Sequence, residues 1–101
     1  MNKKLALALT FAVGFSGAAT VAAGAYTGQN LASHAKITIV AARAIALKTQ
    51  PGKITAEELE NEGAGLRYSF DIKVSSAMHE VGVDAQTGKV LENSVEGSNA
   101  N

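Results

Sequence analysis

No cysteine occurs anywhere in this sequence, which excludes disulfides, thiol catalysis, cysteine-containing metal sites and a lipid-modified cysteine behind a leader. Tryptophan is absent as well, aromatic residues make up only 5% of the chain, and Pro51 is the sole proline. With few large side chains and no covalent staple, any domain here must rest on a small, mostly aliphatic core. Domains of this size bury only about 60% of the surface their unfolded chains expose, so a partner or a second copy could add to stability. Histidine is scarce too. His34 and His79 form no His-Glu-x-x-His or similar spacing, so no zinc site is expected, and partial burial suits His79 better than metal binding. The serines lie in no Gly-x-Ser-x-Gly elbow and have no histidine placed by sequence to activate them. The glycines are scattered turn formers and make no phosphate loop. Glu57, Glu58, Glu60 and Glu62 could supply paired carboxylates, but general acid work needs a carboxyl shielded from water, and a solvated edge is the simpler reading. We therefore expect no enzyme and no cofactor.

An excess of one charge is also missing, with nine basic and nine acidic side chains in the whole chain. The basic start Met1-Asn2-Lys3-Lys4 is followed by the apolar run Leu5 to Phe15 and then by small residues up to Ala23-Gly24-Ala25. That three-part pattern is a secretory signal peptide over residues 1–25, with cleavage expected between Ala25 and Tyr26, or else after Ala23. The competing reading is an uncleaved anchor, since a bilayer takes about 20 apolar residues, but the small residues of the second half favour cleavage. Loss of Lys3 and Lys4 leaves seven basic against nine acidic groups, a net charge of −2 on about 76 residues. A mildly acidic domain without a basic cluster argues against nucleic acid as a partner and gives no attraction to anionic lipid. No later stretch is apolar enough to span a membrane, so none is expected after signal cleavage.

The most informative stretch is Leu66 to Val74, nine residues in which apolar and polar side chains alternate without a break. A strand with this pattern turns Leu66, Tyr68, Phe70, Ile72 and Val74 to one face and Arg67, Ser69, Asp71 and Lys73 to the other. Its apolar face needs a cover, and the segment suited to supply one lies between Ile37 and Leu47. Thr38 can cap that helix, alanines favour it, Lys48 suits its C-terminal dipole, and Pro51-Gly52 ends it. Lys36, Arg43 and Gln50 form its only evident polar stripe, at seven-residue spacing.

Residues 26–35 read as a flexible lead-in, with helix at its end as an option. Lys53 to Glu62 has helix propensity and a capping-box pattern from Thr55 to Glu58, yet only Gly63-Ala64-Gly65 separates it from the alternating strand. An acidic edge strand is the better reading, because the neighbouring strand needs partners for its backbone groups. Met78 to Asp84 alternates again with His79, Val81 and Val83 on one face. A turn over Asp84 to Gly88 leads to a short last strand, Lys89 to Glu92, and residues 93–101 form a polar tail.

Ile37-Thr38-Ile39, Ala42-x-x-Ile45-Ala46-Leu47, Pro51-Gly52-Lys53-Ile54, Leu59-Glu60, Tyr68 to Ile72, and Glu80-Val81-x-Val83-Asp84-Ala85-x-Thr87-Gly88-Lys89-Val90-Leu91 come in an order that resembles the PepSY domain family. The closing Val-Asp-Ala-x-Thr-Gly-x-Val is the most specific part, and the likeness covers residues 36–92. It implies an α+β fold, one helix packed on a small antiparallel sheet of three to four strands, and it decides for strand at Lys53 to Glu62. It also implies a non-catalytic module, found in propeptides of thermolysin-type secreted metallopeptidases, in envelope proteins of spore formers and alone in small exported proteins, with peptidase inhibition as the proposed role.

Two departures stand out: Val40 and Ala41 lie where acidic residues commonly begin the helix, and Glu57 replaces a common apolar residue. The exposed apolar surface at Val40 is either a contact patch or is covered by the lead-in around Leu31. The expected function is a small exported regulator that binds and restrains a secreted or envelope peptidase, in the periplasm rather than outside the cell. The alternative is a cell-envelope binding or structural module with no peptidase target. A metal or small-molecule carrier would need ligand clusters that the spacing does not offer. Candidate partner contacts are Arg67, Ser69, Asp71 and Lys73 on the polar strand face, together with Val40, and an open strand edge could also take an extended segment.

Overall fold

The computed structural model describes residues 24–96. The leader expected at 1–25 lies outside that span except for Gly24 and Ala25, and so does the end of the polar tail. Among the described residues no helix is long and apolar enough to cross a membrane.

Among the described residues a 3₁₀ helix, Gln29–His34, precedes one α-helix, α1, Ile39–Thr49. Four strands follow: β1, Lys53–Glu62; β2, Gly65–Val74; β3, Ala77–Asp84; and β4, Val90–Glu96. They form one antiparallel sheet in the order β1-β2-β3-β4, so every connection joins neighbours. The chain is an α+β domain with α1 on one face of the sheet, as the alternation of β2 required.

The helix begins where its side chains allow. Thr38 Oγ1 accepts from the Ala41 amide at 3.1 Å, satisfying one of the free donors of the first turn. Ile39, Ala42 and Ala46 face the sheet and are buried, and the alanines let the helix come close. Beneath them lie Leu59, Tyr68, Phe70, Ile72, Val81 and Val83, all but fully buried. Each such side chain contributes about 1.5–3 kcal/mol when removed from water. Tyr68 also donates its hydroxyl to the Ile37 carbonyl at 2.6 Å, tying the central strand to the approach of the helix.

The Val-Asp-Ala-x-Thr-Gly stretch proves to be a structural joint. The Asp84 carboxylate accepts from the Gln86 and Thr87 amides at 2.7 and 3.0 Å, closing the turn. Buried Ala85 accepts from the amides of Lys36 and Ile37 and donates to the Leu66 carbonyl. Gly88 has a φ of 82°, and a methyl group there would press on the Ile37 and Ile45 side chains. One turn thus fastens β3 to both β2 and the start of α1.

Residues 53–62 are strand, as the sequence reading expected, because pairing with β2 satisfies their backbone. Several details differ from that reading. A bulge at Thr55 breaks the alternation, so Ile54, opposite Ile72, and Glu57, opposite Phe70, both point to the helix side. Glu57 is therefore not on a solvated edge: Arg43 of α1 binds it with Nε and, at 2.9 Å, with Nη2, and both side chains are mostly covered. Arg43 likewise leaves the polar stripe for this ion pair, and the bond to Glu57 raises its pKa.

The last strand runs on to Glu96, four residues beyond the expected end, because β3 supplies partners for residues whose own sequence is polar. The lead-in is built into the fold. Thr27 bridges Glu58 in parallel, the Leu59 amide donates to the Thr27 carbonyl at 2.8 Å, and Gly28, at a φ of 84°, lies where a Cβ would strike the Leu59 carbonyl. Leu31 packs against the core and leaves Val40 uncovered at 50% exposure.

Candidate functional site: the acidic face of the sheet

With α1 on one side, the other face of the sheet is open. Arg67, Ser69, Asp71 and Lys73 all lie on it, brought together by the strand period, whereas Val40 stands on the outer side of the helix, across the molecule from them. The register adds Ala56, Glu58 and Glu60 from β1, Met78, Glu80 and Gly82 from β3, and Glu92, Ser94 and Glu96 from β4. This face is strongly acidic although the whole chain is neutral.

Arg67 organises it. Its Nη2 donates to Glu92 Oε1 at 2.9 Å and lies 3.6 Å from Glu80, while its Nε donates to Ser69 Oγ at 2.9 Å. Ser69 in turn donates to Glu60 at 2.8 Å, and Glu92 accepts from Ser94 at 2.9 Å. One network therefore spans all four strands. Gly82 makes room for it: a Cβ there would collide with the guanidinium lying across β3. Arg67 is only 12% exposed, so its donors serve the fold, and Asp71 and Lys73 are the more accessible of the predicted cluster.

Further along the face, Asp71, Glu80 and Glu96 bring carboxylate oxygens within 4.8 Å of one another. The sequence could not show this trio, because its members come from three strands. Oxygen donors of this kind suit a hard cation, though calcium takes about six to eight ligands and this open face supplies three carboxylates.

Crowded like charges leave their mark on proton affinity. Burial, reinforced by Glu92, raises the Glu80 pKa in spite of Arg67. A hydrogen bond with Asp71 and its charge raise that of Glu96, and burial with the neighbouring Glu60 raises that of Glu58. In the opposite direction, the Arg67 bond lowers the Glu92 value, and the Gln86 and Thr87 amides lower that of Asp84.

Groups raised in the fold hold protons that the unfolded chain has already released, so stability falls as pH rises above the unfolded carboxylate value of about 4.3. Depressed groups act below that value, where stability is lost as pH falls through their folded pKa. Thermal melts should therefore place the stability maximum on the acid side of neutral, near the unfolded carboxylate value of about 4.3, with a decline on either side of it. A maximum at neutral pH would contradict this account of the face.

The fold and this face define a small α+β module, one helix on an antiparallel meander with an open polar surface suited to contact rather than to enclosing a substrate. The chain belongs to the PepSY family: the family model described as peptidase propeptide and YPEB domain matches residues 36–93. Domains of this family are generally non-catalytic modules. No match was found among the curated proteins or the solved structures.

Proposed function

We propose that this protein is an exported, non-catalytic module that binds a protein partner and, as the family description suggests, restrains a peptidase. Membership of a family described by peptidase propeptides carries the reading. The basic, apolar and small-residue pattern of residues 1–25 supports export, with the periplasm as the compartment. The open sheet face supports contact through a surface, with Asp71 half-buried and Lys73 exposed toward the end of β2.

The test is direct. Purified protein added in rising molar excess to a thermolysin-type secreted metallopeptidase is expected to slow cleavage of a peptide substrate in a saturable way. Unchanged cleavage at high excess, with a non-proteolytic protein recovered by crosslinking in the envelope fraction, would replace this reading by that of an envelope binding module.

A further inference from the structure

The two edges of the sheet are not equivalent. At β1 the middle of the edge is occupied, since Thr27 pairs with it and Gly28 packs on the Leu59 carbonyl. Along β4 no strand pairs with the outer side among the described residues. An edge strand presents a row of unpaired amide and carbonyl groups, which is a template for another extended chain.

The side chains of β4 then say what kind of chain it could be. A bulge at Leu91, between the pairs Val90↔Val83 and Glu92↔Gly82, sets the alternation. Val90, Asn93 and Val95 share the helix side of the sheet with Val83, Val81 and His79, while Glu92, Ser94 and Glu96 share the acidic side. Although α1 packs close to β4, it leaves Val90, Leu91 and Val95 36%, 47% and 47% exposed. On the other side Glu96 belongs to the Asp71 and Glu80 trio, whose like charges have, among the described residues, no cation within ion-pairing distance apart from Arg67 beside Glu80.

We propose that the β4 edge, Val90–Glu96, accepts an extended partner segment in which apolar residues alternate with lysine or arginine. It would add a fifth strand, its apolar residues beside Val90 and Val95 and its cationic residues beside Glu92 and Glu96, over the acidic trio. A second copy of this chain fits poorly. Pairing β4 with itself sets Glu92 and Glu96 against their like, and pairing it with β1 sets them against Glu58, Glu60 and Glu62. The inference rests on the protein-binding part of the proposed function and is independent of whether the partner is a peptidase.

The probe is a synthetic peptide of about eight residues alternating lysine and valine, the length of a typical strand. It is titrated into the purified, isotopically labelled protein and followed by amide shifts and fluorescence anisotropy. Shifts are expected along β4 and not along β1. Affinity should fall by about tenfold or more for Glu96→Lys and for Val95→Asp, and as salt is raised. It should be lost when the lysines are replaced by glutamate, or when the peptide amides that face β4 are N-methylated. Both substituted residues are exposed, so the variants keep the fold, and the amide spectrum verifies this.

Absence of binding at millimolar peptide would overturn the proposal. So would shifts confined to β1 or to the outer face of α1, unchanged affinity in both variants, or β4 shifts that follow protein concentration alone and so report self-association. Failure of the peptidase assay with intact peptide binding would count against the peptidase target and leave the edge site standing.

Discussion

Phe70→Ala is expected to abolish the cooperative unfolding transition of this protein, or to leave it barely populated in the folded state. Phe70 is fully buried at the centre of β2, stacked 6.4 Å from Tyr68, and lies under α1 between Glu57 and Val81 of the adjoining strands. Truncating a buried phenylalanine costs about 3–5 kcal/mol, through lost transfer energy and the cavity left behind. Folded domains hold only about 0.05–0.15 kcal/mol per residue, so a domain this small has a margin of the same order. The helix cannot close the gap, because Ala42 and Ala46 already bring it close to the sheet. Phe70→Leu keeps most of the volume and is expected to cost under about 1.5 kcal/mol. Urea melts of the two variants against the parent would measure both, and equal midpoints would show that Phe70 is not central to the core.

Arg67→Met should destabilise the fold by about 2 kcal/mol at neutral pH, with a loss that shrinks as the pH approaches 4. Methionine replaces the covered stem of Arg67 but leaves Glu60, Glu80 and Glu92 facing one another without their cation. Removing one partner of a fully buried ion pair costs about 3–5 kcal/mol. These carboxylates are 25%, 32% and 36% exposed, so water screens part of the repulsion and the figure is reduced accordingly. At acid pH Glu80, whose proton affinity is already raised, and then Glu92 take up protons, and the difference between variant and parent narrows.

Gly82→Ala provides an independent check, since its methyl group would displace the guanidinium while leaving every charge in place. Arg67 is flexible enough to yield, so a smaller loss with a weaker pH dependence is expected. A loss in Arg67→Met that is constant from neutral to acid pH would show that Arg67 acts by packing alone.

The two variants probe parts of the molecule that differ in how far the sequence discloses them. The face to which Phe70 points follows from the unbroken alternation of residues 66–74, a local pattern fixed by the two-residue period of a strand. Thr38 as helix cap, Pro51-Gly52 as the end of α1 and Asp84 to Gly88 as a turn are also local, because each depends on the conformation of a few adjacent residues. So is the open face carrying Arg67, Ser69, Asp71 and Lys73.

What those residues meet is not local. Arg67 reaches Glu92 across 25 positions of sequence, and Asp71, Glu80 and Glu96 converge only when β2, β3 and β4 are in register. The inward turn of Glu57 left one trace in the sequence: Ile54 and Leu59 are an odd number of residues apart, and both can face the helix only across a bulge. Where that bulge falls depends on pairing with β2, and only there does Arg43 acquire its partner.

The extension of β4 to Glu96 has the same origin, because its polar residues become strand by bonding to β3 rather than by propensity. The sequence by itself determined α1, β2 and β3, their faces and the turn after β3, since these follow from short-range backbone preference and hydrophobic period. Register, bulges and the occupation of one edge by residues 27–28 were decided only by tertiary structure, since each depends on backbone hydrogen bonds between segments distant in the chain.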